Sequence, residues 1–306
     1  MAYRIGSFNC LNFGMGATKN LHIFSDIITN ENFDIVALQE IKGPNALKRL
    51  LSVLPNHWIG KADDGFVNDY AFIWNSNRVQ PAQYESSGLN RTYQPHIYKQ
   101  YRIDRKNGQK DLAREPFFAR FVPVGGGSPF IEIRIINSHI RYSKGTSDSS
   151  VDEQTLGAIA MRQNEFNILS TALYPKISDK RYGNNRPAYT ILLGDYNLNI
   201  PNTGAGSPYL LESIEITDGH GVKIITTTQR DLTTLRNPKD RSGSQQQGFS
   251  SNYDHFTYDA ERFSTVTAQC QSIDSVNKYC GGDFEKHRKT VSDHIPIVME
   301  LDITKG

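Results

Sequence analysis

Cysteine is scarce in this chain, three residues in 306, too few for a disulfide framework to hold the fold. Cys10 lies in an apolar stretch and reads as a buried thiol, whereas Cys270 and Cys280 would pair only in an oxidising compartment. No apolar run reaches the ~18 residues that span a bilayer, so no membrane-crossing helix is expected. Met1-Ala2-Tyr3-Arg4-Ile5 enters strand-like sequence at once, without a secretory apolar region. That predicts a cytoplasmic protein if the chain is complete and a secreted one if a leader has been removed. Charge of one sign is also lacking: the net charge is +2, so bulk electrostatics neither demands nor excludes a polyanionic partner. Internal repeats, zinc-type Cys/His spacing, a Gly-rich nucleotide loop and a Gly-x-Ser-x-Gly elbow are all missing, which sets aside the chemistries built on them.

What is present is a globular composition, 38% apolar and 22% charged, enough for a substantial core. The most informative stretch is Thr190-Ile191-Leu192-Leu193-Gly194-Asp195-Tyr196-Asn197. A continuous apolar run reads as a strand buried on both faces. Gly194 lets the backbone turn, and Asp195 and Asn197 then fall on one side of the chain.

The same punctuation recurs. Tyr3 to Gly14 reads as a strand running into a turn, with Asn9 near its end. Lys19 to Asn30 is an amphipathic helix with Leu21, Phe24, Ile27 and Ile28 on its core side. Phe33 to Leu38 is a second buried strand that stops at Gln39 and Glu40, and Gly43 to Leu54 is a second helix. Further strands are expected over residues 58–60, 69–75, 78–84 and 117–122. A long one over 130–138 ends in His139. Residues 152–173 form the longest helix, with Leu156, Ile159, Phe166, Leu169 and Leu173 inward. Strands over 188–193, 223–228, 252–258 and 291–301 complete the chain. The alternation of strands and helices predicts helices packed outside a sheet.

Residues 85–110 carry no core pattern. Between Arg78 and Arg114 there are eight Lys/Arg against Glu85, Asp104 and Asp111, interleaved with Tyr84, Tyr93, Tyr98 and Tyr101. Basic residues among aromatics suit contact with a phosphate backbone and stacking on bases. A smaller cluster, Arg230, Arg236, Lys239 and Arg241, could extend that surface.

Strand ends thus carry Asn9, Glu40, His139, Asp195 with Asn197, Asp254, and Asp293 with His294. Hard oxygen donors with two imidazoles suit Mg²⁺ or Mn²⁺, which leave coordination sites for water and substrate phosphate. The ordered set Ser-Phe-Asn9, Leu-Gln-Glu40, Arg114-Glu115-Pro116, Asn-Ser-His139, Gly194-Asp195-Tyr196-Asn197, Tyr253-Asp254-His255 and Ser292-Asp293-His294-Ile295-Pro296 resembles the endonuclease/exonuclease/phosphatase superfamily, nearest its deoxyribonuclease I-like nucleases.

The resemblance, spanning residues 3 to 301, implies a single domain over 1–306 with a basic insertion at about 85–113. The implied fold is a four-layer α/β sandwich, two mostly antiparallel sheets face to face with helices outside and the site at one end. It implies Glu40 as principal metal ligand, with Asn9 and Asp293 beside it. Asp254 would orient His294, and Asp195 and Asn197 would position the attacking water and a phosphate oxygen. His139 would protonate the leaving oxygen, Arg114 would bind phosphate, and Tyr70 is either a substrate contact or a core tyrosine of its strand. The proton acceptor is either His294 or Asp195. The glutamate that partners the family's counterpart of His139 is missing from Val67-Asn68-Asp69-Tyr70-Ala71. Either Asp69 substitutes or that pair is incomplete.

The activity so implied is a Mg²⁺-dependent DNA endonuclease acting on backbone phosphates with little sequence preference. The alternatives are a phosphatase on inositol phosphates or another phosphoester, a ribonuclease, and an inactive binding module. Ser251-Asn252-Tyr253-Asp254-His255 departs from the Pro-Ala-Trp-x-Asp-Arg run of the phosphoinositide branch. A sphingomyelinase-like lipase would want apolar loops where residues 85–110 are polar. The metal and dyad positions are all filled by competent side chains, against the inactive reading.

Overall fold

The computed structural model describes residues 2–16, 18–64, 69–86, 89–98, 112–125, 130–142, 158–182, 186–200, 210–218, 221–236 and 248–303. In chain order, the first strands are β1 (Ala2–Phe13), β2 (Ile35–Ile41), β3 (Trp58–Ala62), β4 (Tyr70–Asn75), β5 (Val79–Pro81), β6 (Gln83–Ser86), β7 (Leu89–Thr92) and β8 (His96–Ile97). Then come β9 (Phe117–Pro123), β10 (Glu132–His139), β11 (Ala188–Asp195), β12 (Ser213–Asp218), β13 (Gly221–Thr228), β14 (Asp254–Asp259), β15 (Thr267–Ser272) and β16 (Ile297–Asp302). The helices are α1 (Leu21–Asn30), α2 (Gly43–Leu51), α3 (Ala158–Asn167), α4 (Tyr174–Asp179), α5 (Ser275–Cys280) and α6 (Phe284–Thr290).

One sheet has the order β15-β16-β1-β2-β4-β3; the other runs β12-β13-β14-β11-β10-β9-β5, with β8 also pairing with β9. Each sheet has one parallel pair at its centre, β1 with β2 and β10 with β11, and is otherwise antiparallel. Three apolar clusters fill the gaps between four layers. One lies between the sheets, including Ile5, Phe72, Phe117, Ile135, Ile191 and Met299. A second seats α1 and α2 on β1 and β2. The third seats the α3–α4 helix on β10 and β11 through Phe166, Leu169, Leu173 and Ile177. Strands covered on both faces need continuous apolar runs, which is why Ile35–Leu38 and Ile191–Leu193 lack alternation. The α/β sandwich implied by the sequence is therefore the fold.

The parallel pairs place the site. Asn9 is in register with Gln39, and His139 with Asp195, so four strands deliver their C-terminal ends to one edge of the sandwich. Antiparallel partners begin where these end: Asp254 opposite Asp195, Tyr70 opposite Gln39, Phe117 opposite Asn137. The run into β16 reaches the same edge because Ile297 faces Ser7.

Several sequence expectations change. The long helix continues to Asp179 through a π-helical turn over Ile168–Leu173; its expected start at 152–157 lies outside the described residues. The last strand begins at Ile297 rather than 291, because Pro296 has no N–H to give a ladder. Helices α5 and α6 escaped notice because their buried faces are small. Asp274 and Asp283 cap them, each accepting from a first-turn N–H.

The stretch from 85 to 98 is also more ordered than its composition suggests. Residues 83–92 form a hairpin, β8 adds to β9, and Tyr98 and Leu112 are buried against the α3–α4 side of the core. Tyr98 is thus removed from any stacking surface. Arg78 leaves the basic set too, since it pairs with Asp34 at 2.9 Å and with the Ala2 carbonyl at the far end of the sandwich. Residues 99–111 and 237–247, with Lys99, Arg102, Arg105, Lys106, Lys110, Lys239 and Arg241, lie outside the described residues. Cys10, Cys270 and Cys280 are free thiols, so the Cys270–Cys280 pairing is not formed.

Candidate active site

Gly194, next to last in β11, takes φ +136°, and a Cβ there would lie 1.8 Å from the Ser138 carbonyl oxygen. Only glycine lets β10 and β11 stay in register up to His139 and Asp195. Beyond it Asn197 takes φ +51°, and across the site Glu40 takes φ +60°. Left-handed backbone at two non-glycine residues is uncommon and is held by the surrounding packing.

Asp195 is the hub. It is buried; its Oδ2 accepts a hydrogen bond from Asn9 Nδ2 at 2.9 Å, and its Oδ1 accepts from the Asn197 backbone N–H at 2.9 Å. Two imidazoles face the same Oδ2, His294 Nε2 at 3.6 Å and His139 Nε2 at 3.6 Å. Each imidazole has its own carboxylate behind it. His294 Nδ1 donates to Asp254 at 2.7 Å, and His139 Nδ1 donates to Asp69 at 2.7 Å. Carboxylate acceptors at Nδ1 fix both rings with Nε2 toward the centre. At 3.6 Å the Nε2 atoms are not hydrogen-bonded to Asp195, so each is left open to a substrate.

Burial alone would favour neutral His294, but the Asp254 and Asp195 carboxylates outweigh it and push the imidazole up to about 10. Burial likewise raises the Asp195 carboxyl, against the pull of His294, with Asp254 adding to the rise. Burial would raise Asp69 as well. There the His139 hydrogen bond and charge, with Arg114 and Lys42, win and hold it well below the usual carboxylate range. Lys42 Nζ sits 2.9 Å from Asp69 Oδ1, and Arg114 Nη1 lies 3.7 Å from Oδ2. Arg114 Nη1 is buried and makes no hydrogen bond beyond that looser ion pair.

The remaining expected residues divide. Asn197 Nδ2 donates to the Ile140 carbonyl at 2.8 Å, and Arg162, which the sequence did not single out, donates to the Asn197 carbonyl at 2.8 Å. Glu40 accepts from the Asn12 backbone N–H at 2.7 Å, with Asn9 Nδ2 at 3.4 Å and His139 Nε2 at 4.0 Å. Asn9 was expected to offer its oxygen beside Glu40. Instead that oxygen accepts from the Leu11 N–H at 3.0 Å, and the amide nitrogen faces the carboxylates. Asp293 pairs with Arg288 at 3.3 Å. Tyr70 is fully buried, stacked near Phe117, and its hydroxyl accepts the His139 backbone N–H at 3.0 Å. It holds His139 from within the core, the place of a core strand tyrosine. Ser292 was also missed: its hydroxyl donates to the Asn9 carbonyl at 2.6 Å and accepts the His294 N–H at 3.1 Å.

Among the described residues no three His, Cys, Asp or Glu side chains converge as a closed metal cage. Glu40, with Asp293 as second carboxylate, still fits a hard divalent cation of the kind held by one or two carboxylates with water and substrate phosphate.

The two sheets face each other in a four-layer α/β sandwich, with Asn9 and Glu40 on strands of one sheet and His139, Asp195 and Asp254 on strands of the other. No protein-family model matches the chain, and no curated protein matches it. Solved structures do. TDP2 from D. rerio, in complex with a single-strand DNA product, aligns with a TM-score of 0.54 at 15% identity, covering 98% of this chain and 99% of that one. Truncated TDP2 from Caenorhabditis elegans gives 0.52 at 12% identity, covering 98% of each chain. The 3′ phosphatase NExo from Neisseria, bound to a product DNA hairpin, gives 0.51 at 12% identity, covering 98% of this chain and 99% of that one. At such identities the likeness establishes the fold.

Proposed function

We propose that this chain is a metal-dependent phosphodiesterase that nicks DNA by water attack at the backbone phosphate. The observation that carries the reading is the pair of carboxylate-backed imidazoles, His294–Asp254 and His139–Asp69, aimed from two sheets at one Asp195 oxygen. A scissile phosphate between them meets donors on both sides. Support for DNA comes from the solved structures of this fold that hold DNA products, and from the cations around Asp69.

Glu40, with Asp293, would hold Mg²⁺ or Mn²⁺. When bound, such a cation supplies Lewis-acid neutralisation of the phosphate charge. His294 enters as imidazolium and donates from Nε2 to a non-bridging oxygen, stabilising charge that grows toward the transition state. Asp195, its carboxyl raised by burial, accepts the proton of the attacking water. Asn197 fixes the loop that aims Asp195. His139 delivers a proton from Nε2 to the leaving oxygen, and Arg114 binds phosphate through its guanidinium beside Asp69.

The test is nicking of supercoiled plasmid with Mg²⁺, with Mn²⁺ and with EDTA, alongside His294→Ala and Glu40→Ala. Metal-dependent nicks that fall by about 10²-fold or more in both variants support the reading. A well-folded parent that nicks neither plasmid nor single-stranded DNA ends it.

A further inference from the structure

Two aromatic side chains stand exposed among the described residues' large apolar groups, Phe130 and Tyr142. They flank β10 at opposite ends. Phe130 precedes the strand, far from the site, whereas Tyr142 follows His139 by three residues, at most about 11 Å of extended chain. Tyr142 is 48% exposed, yet it is not a loose surface ring. The Arg162 guanidinium lies 4.9 Å from its centroid, and Arg162 itself is buried. That same guanidinium donates to the Asn197 carbonyl, while Asn197 Nδ2 donates to the Ile140 carbonyl and the Ile140 N–H to the Asp195 carbonyl. One face of the ring is thus in reach of a buried cation tied to the reacting centre, and the ring keeps nearly half its surface for a ligand. A cation near one face of an aromatic ring adds to its hold on the protein. Nucleobases stack on such rings whatever their sequence.

We propose that Tyr142 is a stacking platform for the nucleobase flanking the scissile phosphate, so that the site takes strands whose base there is splayed from its neighbours. The proposal rests on the phosphodiesterase reading above and deepens it. It makes single-stranded, frayed or nicked DNA a better ligand than intact duplex, because unstacking a paired base costs a few kcal/mol.

The experiment measures binding of a short single strand carrying 2-aminopurine beside the central phosphate, and of the same strand with tetrahydrofuran abasic residues there. Both are titrated in EDTA against the parent, Tyr142→Ala and Tyr142→Phe, with melting temperatures recorded for each. Tyr142→Ala should weaken the base-bearing strand about tenfold, abolish the 2-aminopurine quench and leave the abasic strand within twofold. Tyr142→Phe should restore parental binding. Equal binding of the two strands by parent and Tyr142→Ala overturns the proposal. So does an equal loss on both strands, which would mark Tyr142 as a support for Asn197. If the parent nicks plasmid and either result holds, only the stacking role falls; if the parent neither nicks nor binds DNA, the nuclease reading falls and takes this proposal with it.

Discussion

Asp254 and His287 show how differently two buried titratable groups serve one site. Asp254 is fully buried, and its carboxylate accepts from His294 Nδ1 at 2.7 Å. Asp254→Asn keeps the volume but replaces the anion that holds the ring's charge. It should lower nicking by roughly 10²- to 10⁴-fold with melting unchanged within a few degrees; a loss under threefold would remove the dyad from the mechanism. His287 is also buried, but as a neutral strut. Its Nδ1 donates to the Ser292 carbonyl at 2.7 Å, and Ser275 Oγ lies 2.8 Å from Nε2. Burial, foremost, lowers its pKa to about 4, only partly offset by the Ser292 bond and by Asp274 and Asp293, and Lys19 lowers it further. The unfolded chain therefore binds this proton first as pH falls below ~6.5. Stability is full above that value and is lost on the way down to about 4, by on the order of 3 kcal/mol. Thermal melts at pH 7 and pH 5 should show a smaller drop for His287→Gln than for the parent.

At the scale of elements, the close approach of β10 and β11 is the most demanding local feature. Gly194→Ala places a methyl on the Ser138 carbonyl and forces a left-handed φ on a residue with a Cβ. A cost of about 3 kcal/mol or more follows, read as insoluble protein or a melt lowered by ten degrees or so; a melt within a few degrees of the parent's would show that the strands part freely there. This element was readable beforehand because an apolar run followed by Gly-Asp is local information. So was Glu40, since the apolar run Ile35–Leu38 stops abruptly at Gln39 and Glu40. The contacts that organise them were readable only in part. Asp69 reaches His139 across 70 residues, the substitution that the resemblance left open as one of two alternatives. Ser292 reaches Asn9 across 283, and that pairing leaves no periodic mark. The basic, tyrosine-bearing stretch misled for the opposite reason: its composition resembles a loop, but Tyr98 and Leu112 supply buried contacts with no apolar periodicity to announce them.

For the whole molecule, the described cations at the site edge are few: Lys42 and Arg114 border Asp69, and Lys19 feels both Glu40 and Asp293. Backbone-phosphate recognition by such a set predicts that log affinity for DNA falls against log salt with a slope between about −2 and −4. A slope near zero would contradict binding through phosphates. A steeper one would bring in residues 99–111.

The hydroxyl of Ser292 ties the carbonyl of Asn9 to the N–H of His294, and β1 lies between β2 and β16. The earliest and latest catalytic-type residues to be synthesised therefore meet. A nascent chain still attached to the ribosome holds Glu40, His139 and Asp195 long before His294 emerges. A chain that stops short of His294 therefore lacks one of the two carboxylate-backed imidazoles facing Asp195.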